Sequence, residues 1–218
     1  MSAAKKTPRL MPLDGEVLRQ DLANLGMRIA SKDELRKEAL VLIKGAFQNA
    51  RSRVKDQVVT GKLHGLKAAR QLSAIQDAVI QVLYDFAIKE FYPPSAKDSS
   101  EHLTVVATGG YGRGELAPGS DVDLLFIRPH KPTSWDEHVI EFVLYMLWDL
   151  GLKVGHATRS LPECVRLAKQ DITIRTSLLE ARYLWGDLAL YDALRKMFWS
   201  EIATGSGQDF VEAKLAER

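Results

Sequence analysis

Cysteine is almost missing from this sequence: Cys164 is the only one in 218 residues. That excludes an internal disulfide and a cysteine-rich zinc module, fits a reducing compartment, and leaves Cys164 as a small buried hydrophobe. An excess of either charge is missing too, with 30 Lys+Arg against 28 Asp+Glu and a formal net charge of +2. The overall balance demands neither nucleic acid nor an anionic membrane as partner, so any phosphate binding has to be local. Long apolar runs are equally scarce. The strongest, FVLYMLW at 142–148, is bounded by Glu141 and Asp149 and is far too short to span a bilayer. The start, MSAAKKTPRLMPLDG, has basic residues with no apolar run behind them, so it lacks the pattern of a secretion signal. Internal repeats and low-complexity tracts are absent. Together these absences read as a soluble, cytoplasmic protein.

What is present supports a packed core, since 46% of the residues are apolar. Residues 1–16 read as a flexible, proline-containing lead-in, and 17–93 as a helical region with apolar positions recurring at three and four, as in AIQDAVIQVLYDFAIKEFY. YPPSAKDSSEH at 92–102 breaks that pattern. A mixed region of strands and helices is expected over 103–188. LTVVAT is a short β-branched strand, GGYGRGELA a glycine turn leading into one or two helical turns, and DVDLLFI a second strand. Ser134 with Glu137 predicts a capping box for a core helix running to about Leu150, stopped by Gly151. LKVGHATR at 152–159 alternates as a strand, and Ser160 with Glu163 repeats the capping box. Helices are expected from there to the end, 189–218 included. The fold class is α/β (α+β): a short mixed β-sheet flanked by helices, with helical N-terminal and C-terminal regions.

Asp121 and Asp123 are the unusual feature. Two residues apart on a strand, they share a face with backbones roughly 6 to 7 Å apart, while Val122 and Leu124 point into the apolar layer. Two unpaired like charges there are costly, and a cation makes them favourable. An oxygen-only carboxylate pair suits Mg²⁺, which keeps waters and accepts substrate phosphates. Gly109 and Gly110 supply the other half, ending one strand just before a helix, where backbone N–H groups can meet phosphate oxygens. Two other glycine motifs fail. No lysine follows these glycines as a P-loop requires, and the paired acids arrive too early for a dinucleotide fingerprint.

Gly109-Gly110, an eleven-residue step, then Asp121-Val122-Asp123 resembles the signature of the DNA polymerase β-type nucleotidyltransferases. GGYGRGELAPGSDVDLLFI, YMLWDLGLKVGHATR and LLEARYLWGD together resemble the N-terminal catalytic domain of the bifunctional PII uridylyltransferase/uridylyl-removing enzymes of bacterial nitrogen control. The close match covers about 104–188. The resemblance implies transfer of UMP from UTP to a tyrosine of the signalling protein PII, releasing pyrophosphate. Asp121 and Asp123 would hold Mg²⁺, Gly109 and Gly110 would approach the triphosphate, and Ser120 would support that loop. On electrostatic grounds Arg113 is a further phosphate contact.

The sequence also departs from that pattern. Many members carry a third acid on a later strand as base; here the strand reads KVGHATR, with Gly155 and His156 where an acid could sit. His156, Glu180 in LLEAR, or no protein base at all remain open, and Arg159 is another phosphate candidate. Arg113 reads equally as a surface ion pair, Glu180 with Arg182 reads as an internal ion pair, and Tyr145, Trp148, Tyr183 and Trp185 as core aromatics at helical spacing. The resemblance further implies HD-type hydrolase and ACT domains outside these 218 residues, so removal of UMP and a glutamine response are not expected here. Two alternatives stand: a relative using ATP or another acceptor, such as an adenylyltransferase of glutamine synthetase, and a non-catalytic nucleotide-binding module.

Overall fold

The structure is a computed structural model that describes residues 13–95, 102–129, 132–204 and Leu215. The expected lead-in over 1–16 therefore lies largely outside the described residues, as does nearly all of the expected helix beyond 204.

Asp14 opens the first helix, α1 (Gly15–Arg28), by accepting from the Glu16 and Val17 N–H groups. Ser31 caps α2 (Lys32–Val59), and α3 (Gly65–Phe86) follows, continuing as a π-helical turn over Ala87–Phe91. Four strands form one sheet: β1 (Thr104–Ala107), β2 (Val122–Arg128), β3 (Val154–Ser160) and β4 (Arg182–Gly186). Their order is β3-β2-β1-β4, with β1 antiparallel to both neighbours and β2 parallel to β3. Between them lie α4 (Gly109–Gly112), α5 (Ser134–Asp149), α6 (Leu161–Gln170) and α7 (Ile172–Leu179). After β4 comes α8 (Leu188–Phe198).

The alternation along β2 sets the layers. Val122, Leu124 and Phe126 join Val105 and Ala107 of β1 in a core shared with α1, α2, α3 and α5. Leu125 and Ile127 join Val106 on the other face, where Cys164 and Val165 of α6, Leu178 of α7 and Leu190 of α8 cover the sheet. Both faces are covered, which is why β2 reads as nearly continuous apolar sequence after Asp123. Cys164 is fully buried, and burial pushes its thiol up to about 11.

Three expectations change. The box opening α5 is formed by Thr133 and Asp136 rather than Ser134 and Glu137: Asp136 Oδ1 accepts from the Thr133 N–H at 2.6 Å. The stretch after α7 is not all helical, because RYLWG forms β4 on the free edge of β1. Tyr145 and Trp148 are not core residues; they stand 50% and 42% exposed on α5. Tyr183 and Trp185 are half-buried on β4 and pack on opposite faces of the sheet. The Ser160–Glu163 box and the Gly151 stop are as expected, with the Gly151 N–H donated to the Trp148 carbonyl at 2.8 Å. No helix among the described residues is long and apolar enough to cross a membrane.

Candidate active site

β1 ends at Ala107, and the next residue knits the glycine turn to β2: the Thr108 N–H donates to the Asp123 carbonyl at 3.0 Å. Gly109 then turns the chain with φ +57°, a conformation that favours glycine. The N–H groups of Gly109 and Gly110 begin α4, where no intrahelical acceptor exists, and no acceptor among the described residues takes them.

Asp123 sits in a niche made by two missing side chains. A Cβ at Gly109 would stand 3.0 Å from Asp123 Oδ2, and one at Gly155 would stand 2.5 Å from Oδ1. Gly155 is the parallel register partner of Asp123. This accounts for the absent third acid: the Asp123 carboxylate occupies the space a side chain at 155 would need. Desolvation raises the Asp123 carboxyl above the usual range, and the charge of Asp121 adds to it. Asp121 itself is exposed and lies just before β2, where the Val122 N–H is held by the Lys153 carbonyl at 2.8 Å. Two carboxylates, one half-buried and repelled by the other, are a donor set that fits a hard divalent cation keeping several waters. Among the described residues no group of three or more His, Cys, Asp or Glu side chains gathers as a metal site.

A cleft of about 410 Å³ opens in front of this niche, between the sheet and α7. Gly109, Asp123 and Gly155 line one wall, Thr173 and Ser177 the other, and Arg159 and Glu180 also line it. Arg159 lies on the Asp123 face of the sheet, four residues along β3 from Gly155, about 13 Å of strand. It has no carboxylate partner among the described residues. Thr173 and Ser177, spaced i and i+4, share one helix face; sequence reading missed them because ITIRTSLL carries no motif, only hydroxyls at helical spacing.

The other expected residues are placed differently. Arg113 donates from Nη1 to Glu180 Oε1 at 2.7 Å, so the Glu180–Arg182 pair read from the sequence does not form. Gly110 lies beside Arg113, whose Nη2 is 3.5 Å from where its Cβ would stand. Ser120 is exposed in a turn, its N–H donated to the Ala117 carbonyl at 3.1 Å, and lines a different pocket. His156 is the register partner of Leu124, and its ring meets Trp148 edge-on at 6.2 Å, on the face away from the Asp123 carboxylate.

Arg182 instead buttresses the glycine turn from below. Its Nη1 donates to Asp77 Oδ2 at 2.8 Å and its Nε to the Gly112 carbonyl at 3.2 Å, while the buried Tyr111 hydroxyl donates to Asp77 Oδ1 at 2.6 Å. Burial and the neighbouring Asp77 keep the Tyr111 hydroxyl well above its ordinary pKa, so it stays a donor.

Residues 9–142 match the family model described as glutamate-ammonia ligase adenylyltransferase. A bifunctional uridylyltransferase/uridylyl-removing enzyme of Rhodospirillum rubrum is 47% identical over 98% of this chain and 23% of its own length. Enzymes of the same description from Rhodopseudomonas palustris and Azospirillum brasilense are 48% and 46% identical over 91% and 92% of the chain, each over 21% of the relative. The chain spans about a fifth of the length of the curated relatives it matches. By the family model that matches more than half of it, the chain belongs to the nucleotidyltransferase family described as glutamate-ammonia ligase adenylyltransferase.

Proposed function

We propose that this chain transfers UMP from UTP to a tyrosine hydroxyl of the PII signalling protein, in the cytoplasm, with Mg²⁺ held by Asp121 and Asp123 and pyrophosphate released. The observation that carries the reading is the Asp123 niche: a partly desolvated carboxylate seated between Gly109 and Gly155, beside a second carboxylate, at the head of a cleft lined by Arg159, which has no carboxylate partner among the described residues. A divalent cation bound there supplies charge neutralisation of the phosphates and polarisation at the reacting phosphorus.

The chain's own residues supply positioning. Gly109 and Gly110 present unpaired N–H groups without side chains, which lets phosphate oxygens approach the backbone. Arg159 offers a planar guanidinium to the triphosphate, a role for which Arg113, already tied to Glu180, is less suited. Ser120 holds the turn that carries Asp121. Glu180 is the carboxylate other than Asp123 that lines the cleft, and we assign it the tyrosyl proton as the hydroxyl oxygen bonds to the α-phosphorus and the bond to pyrophosphate breaks.

The test is transfer of labelled UMP from UTP to PII with Mg²⁺, run against ATP and against the Asp121→Asn/Asp123→Asn double variant. UTP-specific labelling lost in the variant is the expected result. Labelling from ATP instead would move the chain to an adenylyl donor, and labelling retained in the variant would reject the carboxylate-held metal.

A further inference from the structure

A second, smaller pocket of about 180 Å³ lies behind the Gly119–Ser120 turn, walled by α2, α3 and the turn between α5 and β3. Its chemistry is one-sided. Arg51 and Lys153 line it, and among the described residues neither has a carboxylate partner and no acidic side chain lines the pocket. The Arg51 guanidinium lies over the ring of Phe47, another lining residue, 5.2 Å from its centroid, a cation–π contact.

Beside the two cations stands Gln76, which lines the pocket from α3 and is 1% exposed. Its amide nitrogen finds no acceptor among the described residues. A buried donor left unpaired costs stability, and such groups call for an explanation such as a missing ligand oxygen. Ser120 adds a hydroxyl from the turn. Two cations, a buried amide donor and a hydroxyl, with no acceptor charge opposing them, form a donor set matched to an ion rich in acceptor oxygens. The volume suits a compact oxyanion.

We propose that this pocket is a second anion site, built for a phosphate-class oxyanion and separate from the Asp123 cleft. It sits behind the turn that carries Asp121, whereas the cleft opens in front of Asp123 on the α7 side of the sheet. The assignment does not depend on the transfer reaction proposed above.

The experiment is a titration of the 218-residue chain with inorganic phosphate at constant ionic strength, without nucleotide or divalent cation, read by the NMR shifts of the Gln76 side-chain amide and the Ser120 and Lys153 backbone amides. Saturable shifts at these groups are expected. The Arg51→Gln/Lys153→Gln variant should bind about tenfold more weakly or worse, and Gln76→Leu, which keeps the side-chain volume, should bind several-fold more weakly while melting no lower. Asp123→Asn should leave the titration unchanged, and saturating UTP should not displace the phosphate. Absence of saturable shifts, equal binding by the folded double variant, or displacement by UTP would each overturn the proposal.

Discussion

Asp123 and Gly155 face each other across the parallel pair β2–β3, and a Cβ at 155 would stand 2.5 Å from Asp123 Oδ1. The atom in the way is the far end of a side chain, so Gly155→Ala can be accommodated by swinging the carboxylate aside. Stability should fall by less than about 1 kcal/mol. Transfer should fall by about 100-fold, the scale of a misplacement near 1 Å. Gly112→Ala gives the contrast, since its Cβ would run into the backbone carbonyl of Glu180, which cannot swing away; it should cost about 1–3 kcal/mol of stability. Melting curves beside transfer rates separate the two, and a Gly155→Ala variant with full activity would remove the niche from the mechanism.

The raised Asp123 carboxyl makes a pH prediction whose sign follows from linkage. The folded state holds this proton more tightly than the unfolded chain, mainly through desolvation and secondly through Asp121. The resulting stability is fully present below the unfolded carboxylate value of about 3.9 and is lost as pH rises through the folded value. At pH 7.5 in chelator the ionised group is thus a burden, and Asp123→Asn should melt higher than the parent chain. At pH 3.5 the two should converge. Added Mg²⁺ should raise the melting temperature of the parent and not of the variant. An Asp123→Asn protein that melts no higher at pH 7.5 would argue that the carboxylate is well solvated.

The legible parts of the sequence were those in which local chemistry decides structure. The glycine turn, the β2 strand, the Ser160–Glu163 cap and the fully buried Cys164 all follow from patterns within a few residues. β4 was not legible because RYLWG becomes a strand only by pairing with β1, some eighty residues earlier. The role of Gly155 was hidden for the same reason: its register with Asp123 is a tertiary fact. The Arg113–Glu180 and Arg182–Asp77 pairs exchange the partners that sequence proximity suggests, since α4 and α3 approach β4 from elsewhere in the chain.

Arg182, Asp77 and Tyr111 form the support under the glycine turn, and their removal should be felt in stability. Asp77→Ala leaves a part-buried guanidinium and a fully buried hydroxyl without their acceptor. The expected cost is about 3 kcal/mol, a fall in melting temperature on the order of 10 °C. Tyr111→Phe removes one hydrogen bond and leaves the ion pair, so it should cost about 1 kcal/mol. Asp77→Ala combined with Arg182→Met should cost clearly less than the two single losses summed. Additive losses in denaturant titrations would show that the three side chains do not act as a unit.

Arg159 and Arg113 compete for the same assignment, and binding can decide it. Arg113 is 54% exposed on the surface and already bonded to Glu180, a type of pair worth under about 1 kcal/mol. Arg159 lines the cleft with no carboxylate partner among the described residues, so its guanidinium can be given wholly to phosphate oxygens. Arg159→Gln should therefore weaken UTP binding by about 10- to 100-fold. Arg113→Gln should change it by no more than about threefold. Calorimetric titration with UTP and Mg²⁺, in the absence of any acceptor protein, measures this without relying on turnover. If the two variants exchange effects, the triphosphate runs over α4 toward Arg113, and Glu180 gives up its ion pair when nucleotide arrives.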